Sequence, residues 1–204
     1  MPALVPVAGI WHNGGRFEVK EPALKPLFNL FWQICCFRRG PQDVPYQRSL
    51  LGLMLVLVLA CGLLFIFLLS GLDASEKAVP PQQQVLARLF SLAVWMLLLY
   101  GLLRFKNHQA RYVQTMTAAL GADLILSVPQ ILLLALAMVS PVESALTGLA
   151  QMTLLALYIW DMLVKGAIYA SALGLGRVQG NLLSLALSFG LYMASALLFS
   201  PPPQ

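Results

Sequence analysis

Five apolar blocks, each about 18 to 23 residues long, constrain this chain more than any other feature of its sequence. They run from Leu50 to Leu72, Val85 to Leu103, Thr117 to Val139, Ala145 to Val164 and Leu182 to Phe199. A helix rises about 1.5 Å per residue, so about 20 residues cross a hydrocarbon layer about 30 Å thick. Backbone groups in lipid must bond to one another, which leaves only helices and closed barrels as spanning structures. Continuous Leu, Ala and Val runs lack the period-two alternation of barrel strands. The expected fold is all-α: a polytopic membrane helical bundle with five transmembrane helices.

The basic residues fall on alternate sides of these blocks. Arg16, Lys20, Lys25, Arg38, Arg39 and Arg48 precede the first; Arg104, Lys106 and Arg111 follow the second; Lys165 and Arg177 follow the fourth. Against these eleven, the opposite flanks hold Lys77 and Arg88. The positive-inside rule therefore puts the N-terminus in the cytoplasm and the C-terminus outside. The same bias accounts for the net charge of +5 without a nucleic-acid partner.

With 59% apolar and 10% charged residues, no large water-facing domain is available. Two regions follow, a cytoplasmic N-terminal segment over 1–48 and a five-helix transmembrane domain over 49–204. Met1 to Trp11 contains Pro2 and Pro6 and has no basic start, so the first span rather than a removable signal peptide is expected to direct insertion. Within the N-terminal segment, Leu24, Leu27, Phe28, Phe31, Ile34 and Cys35 recur at helical spacing, beside Trp32, Phe37, Arg38 and Arg39. This pattern predicts an amphipathic helix lying in the inner headgroup layer.

Polar side chains are organised inside the blocks. At 100° per residue, Thr115, Ala119, Asp123, Ser127 and Gln130 share one face of the third, and Pro129 interrupts that helix beside it. Thr147, Gln151, Tyr158, Asp161 and Lys165 share a narrower face of the fourth. Asp161 and Lys165, four residues apart, can pair directly. If the chain turns near Val142, Asp123 and Asp161 come to one depth, about 10 Å inside the cytoplasmic interface. The candidate intramembrane cluster, either a latch of neutralised structural pairs or a proton, ion or lipid-headgroup pathway, is Asp123, Gln130, Tyr158, Asp161 and Lys165. In the fifth block Asn181, Ser184, Ser188, Tyr192 and Ser195 form one stripe, and Ala186, Gly190 and Ala194 form a small-residue stripe suited to helix packing or self-association.

Enzyme signatures are missing. His12 and His108 are the only histidines, neither within His-Glu-x-x-His, and Cys35, Cys36 and Cys61 have no metal-ligand spacing. No catalytic, cofactor-binding or metal-ligating residue is assigned.

The stretch from Leu103 to Gly121, with a basic linker followed by Tyr112, Gln114-Thr115 and an Ala/Leu/Gly-rich span, resembles the cytoplasmic turn and following helix of bacterial Yip1-family proteins. The approach from Leu27-Phe28 through Gly40-Pro41-Gln42-Asp43-Val44-Pro45-Tyr46 is similar to theirs as well. The resemblance implies five spans with a cytoplasmic N-terminus and a non-enzymatic organiser or adaptor of the bacterial cytoplasmic (inner) membrane, whose partners are the lipid bilayer and other membrane proteins. The Asp-Leu-Tyr-Gly-Pro type motif of eukaryotic members is absent, so no small-GTPase partner is carried over. The alternative expectation, drawn from the residues, is a small transporter or channel component using the Asp/Asp/Lys cluster.

Overall fold

The computed structural model describes residues 24–72, 80–139 and 145–199. The N-terminal stretch, the flank containing Lys77, the turn expected near Val142 and the C-terminal tail lie outside these described residues. Among them every regular element is helical: α1 (Leu24–Cys35), α2 (Arg48–Leu72), α3 (Pro81–Phe105), α4 (Tyr112–Val139), α5 (Ala145–Leu173) and α6 (Arg177–Phe199). Five of these, α2 to α6, are long and apolar enough to cross a membrane. At 12 residues, or about 18 Å, α1 is too short to cross.

The fourth span is longer than its apolar block. It passes Val164 and ends at Leu173, leaving only Gly174, Leu175 and Gly176 before α6. Lys165 is therefore inside a helix and not in a connecting flank, because its charge is met by two carboxylates and the chain need not leave the bundle there. The helix stops at Gly174, whose φ of 66° suits the left-handed position after a helix end. The Leu175 N–H then donates to the Ala170 carbonyl at 2.8 Å. Asn107 ends α3 in the same way, with His108 N–H donating to Leu103 at 2.7 Å.

The spans close a ring in which α2 packs on α4, α4 on α5, α5 on α6 and α6 on α3, with α3 and α2 making the loosest contact. Tight passages are cut by glycine: a Cβ on Gly180 would run into the Gly166 carbonyl oxygen and Ala170, and one on Gly166 into Asn181. The starts of α2, α4 and α6 share one end of the bundle with the ends of α3 and α5. That end carries Arg38, Arg39, Arg48, Arg104, Lys106, Arg111 and Arg177, and is called the basic end below.

Burial is lopsided along the bundle axis. Leu50 and Met54 of α2, Leu99 and Leu103 of α3, Met116 to Leu120 of α4 and Ile168 to Ala170, Ala172 and Leu173 of α5 are all buried toward the basic end. In the opposite halves, among the described residues, only Leu126, Leu134 and Ala150 join them. The helices are thus packed solid at one end and splayed at the other.

The short helix α1 does not lie free of the bundle. Phe31 presses its ring into the notch left by Gly121 on α4, and Leu30, Ile34 and Cys35 are buried beside it. At the α1 terminus the Trp160 indole N–H donates to the Cys35 carbonyl at 3.1 Å. Phe37, a bulky residue held at φ 59°, sets its ring edge-on to Trp160 at 5.4 Å. The opposite face shows Phe28 and Trp32, stacked and more than half exposed.

Candidate functional site

Lys165 is the hub of the polar cluster. Its Nζ lies 2.7 Å from Asp123 Oδ1 on α4 and 2.8 Å from Asp161 Oδ2 one turn earlier on α5. All three side chains are less than one-fifth exposed. The ammonium also sits 5.7 Å from the centre of the Trp95 ring on α3, within cation–π range. Trp95 donates its indole N–H to the Tyr169 hydroxyl at 2.7 Å, a buried bond between α3 and α5. Three helices therefore meet on one cation.

Depth follows from helix rise. Asp123 is about 17 Å from the start of α4, and Asp161 about 18 Å from the end of α5 and 24 Å from its start. The two carboxylates do share one level, but that level is near mid-bundle and deeper than the 10 Å expected from the apolar blocks. The difference arises because α5 continues nine residues beyond Val164. A charge at helix centre costs about 2.5–3.5 kcal/mol on insertion scales, so pairing here offsets a substantial penalty.

Pairing does not exhaust the acid. One ammonium faces two carboxylates, and Asp161 Oδ1 is buried without a hydrogen-bond partner among the described residues. Fully ionised, the cluster carries one surplus negative charge. A single proton, or a cation, brings it to neutrality.

The cluster is the floor of a cavity of about 970 Å³ that opens at the splayed end. Its lower wall holds Asp123, Asp161, Lys165, Trp95 and Tyr169, and its upper wall is studded with Ser127, Gln130, Tyr158, Ser188, Tyr192 and Ser195. Arg88 stands near the mouth, beside Gly62. Thus Asp123, Gln130, Tyr158, Asp161 and Lys165 all line one space, and the hydroxyl stripe of α6 faces it as well. Thr115 instead is buried in the packed half, bonded to the Arg111 carbonyl at 2.8 Å.

The small-residue stripe is placed differently. Ala186 and Gly190 are exposed, and a Cβ on Gly190 would meet open space. Close packing of α6 uses Gly180 against Gly166, so Ala186, Gly190 and Ala194 are not the tight contact within this chain.

On the far side of the cluster, α1 supplies a wall. The Cys35 thiol is pushed up to about 12, first by burial and then by Cys36, Asp161 and Asp123 nearby. An acid raised from its ordinary 9.0 stays neutral through the neutral range, and any stability it lends is lost only as pH climbs from 9 toward 12. Cys35 is accordingly packing, not a nucleophile. Among the described residues no three His, Cys, Asp or Glu side chains stand together as a metal site.

Sequence reasoning did not single out Trp95, Tyr169, Trp160 or Gly121 as part of this arrangement. Tyr169 lies four residues after Lys165 and continues the same face, a signal hidden by ending the block at Val164. Trp95 sits in a span without a polar stripe and carries no such signal. No family model matches the chain, and no curated protein or solved structure is similar to it, so the chemistry of these side chains carries the reading alone.

Proposed function

We propose that this chain is an integral protein of the bacterial cytoplasmic membrane in which the central cavity is a pathway, making it a small transporter or channel component that moves a proton or small cation to the Asp123/Asp161/Lys165 cluster. The observation that carries the reading is the coincidence of the cavity of about 970 Å³ with an ion-pair cluster that retains one unneutralised carboxylate. A structural latch alone needs neither the surplus acid nor access to it. The basic end is assigned to the cytoplasm by the positive-inside rule, which makes the cavity open outward. Protonation of the free Asp161 oxygen removes the charge and loosens its hold on Lys165, freeing the ammonium to engage the other carboxylate or a solute anion. No bond of a substrate is made or broken in this scheme, so the reading is non-enzymatic.

Reconstitution tests it. Full-length chain in proteoliposomes with an internal pH dye should pass protons down an imposed gradient faster than empty vesicles, and Asp161→Asn should abolish the excess. Flux equal to that of empty vesicles, or unchanged in both Asp123→Asn and Asp161→Asn, overturns the pathway.

A second reading is favoured by a different observation, the exposed Phe28–Trp32 pair on α1. Together with the resemblance to Yip1-family proteins, it supports an adaptor that organises other membrane proteins or the bilayer through its inner-leaflet helix. Crosslinking in native membranes followed by mass spectrometry distinguishes the two: an adaptor yields a recurrent protein partner on α1, and a carrier does not.

A further inference from the structure

A second cavity, of about 650 Å³, lies at the basic end and has no part in the pathway above. It is a groove between the segment that follows α1 and the neighbouring halves of α5 and α6. Its rim holds three guanidinium groups, Arg38, Arg39 and Arg177, and its wall along α5 is Leu163, Ala167 and Ile168. Among the described residues none of the three arginines has an ion-pair partner, since both ion pairs belong to Lys165. The one acid on the rim, Asp43, forms no ion pair with them and accepts the Gly40 N–H at 3.0 Å. Counting that acid, the rim carries a net charge of +2. Arg177 is also the first residue of α6, so the positive end of a 23-residue helix borders the same space.

We propose that this groove binds an anionic phospholipid, its phosphate held by Arg38, Arg39 and Arg177 and its glycerol and first acyl carbons lying along Leu163, Ala167 and Ile168. Guanidinium groups match a phosphate with paired N–H donors, and three without carboxylate partners leave the anion position open. The apolar wall decides between a lipid and a free phosphate. From Ser171 to Leu163 the groove follows α5 for about 12 Å toward mid-bundle, a path a soluble anion does not use and an acyl chain does. Leu163 is partly exposed at its far end, so a chain can leave the groove there into the surrounding bilayer. A basic pocket between spanning helices on the inner face is the setting in which anionic headgroups are recognised.

The test uses full-length chain in nanodiscs of phosphatidylcholine doped with phosphatidylglycerol, with retained lipid read by native mass spectrometry. Phosphatidylglycerol should be enriched on the protein over its share of the disc. Arg38→Gln and Arg177→Gln should each lower that enrichment about fivefold, while Arg104→Gln, at the same end outside the groove, leaves it unchanged. Ala167→Phe keeps every charge and fills the apolar wall; it should also release the lipid, and it decides the matter if the arginine variants fail to fold. Inorganic phosphate alone should not displace the lipid. No enrichment, an equal loss with Arg104→Gln, or displacement by phosphate with Ala167→Phe silent overturns the proposal, the last by showing a soluble-phosphate site.

Discussion

At the residue scale, the decisive asymmetry is that Lys165 has two partners and each aspartate has one. Removing the lysine leaves two like charges facing each other near mid-bundle, whereas removing one aspartate leaves a matched pair. Lys165→Met should therefore destabilise the fold by about 3–5 kcal/mol, the cost of stranding buried charge. Asp123→Asn, which keeps the shape and an acceptor, should cost about 1 kcal/mol. The combined change Asp123→Leu, Asp161→Leu and Lys165→Met should recover most of the loss, because a well-packed apolar replacement no longer has to desolvate ions. Thermal unfolding of the purified variants in mild detergent orders the three. A triple variant weaker than Lys165→Met removes the electrostatic account of the cluster. Asp161 and Lys165 were legible as a pair because helical period puts them on one face, and Asp123 because counting back from the turn expected near Val142 brings it to the depth of Asp161. Trp95 was not, since a cation–π partner from another helix leaves no periodic trace in its own.

Among the elements, α5 shows where hydropathy stops being informative. Its apolar block ends just before Lys165, yet the helix continues to Leu173 because that cation is met by Asp123 from α4 as well as by Asp161, and the contact between segments is one that no window along one segment detects. The same limit applies to α6. Small residues every fourth position mark a surface able to approach closely, but do not say which of two such surfaces is used. The structure uses Gly180 against Gly166 and leaves Gly190 facing outward. Gly180→Leu should thus cost about 1–3 kcal/mol by overpacking the α5–α6 contact. Gly190→Leu should stay within about 0.5 kcal/mol in a monomeric state. Denaturant titration compares them, and a loss at Gly190 confined to conditions where the protein self-associates assigns that stripe to an interface between copies. The Phe31–Gly121 contact of α1 belongs to the same class: the spacing of Phe31 announced an apolar face, while the notch that receives it lies ninety residues away.

For the whole molecule, the uneven packing of the ring makes a one-ended space. The five spans were readable from apolar length, and which end is basic from loop charge, but the uneven packing depends on contacts between helices, loosest where α3 meets α2, and has no sequence signal of its own. Cys61 of α2 lines this space and is a native reporter of it. In a Cys35→Ser/Cys36→Ser background, a membrane-impermeant maleimide should label Cys61 from the splayed side only. Lys106→Cys in the connection between α3 and α4, made with Cys61→Ser, should be labelled only from the opposite side. In intact cells Cys61 should react and Lys106→Cys should react only after permeabilisation, because loops rich in Arg and Lys are retained in the cytoplasm. The packed layer of Leu99, Leu103 and Met116 stands between Cys61 and the basic end. Labelling of Cys61 from the same compartment as Lys106→Cys means that water reaches the cluster through that layer, in which case the cavity is not closed at the basic end and alternating exposure of Lys165 has to be sought in a different packing of α3.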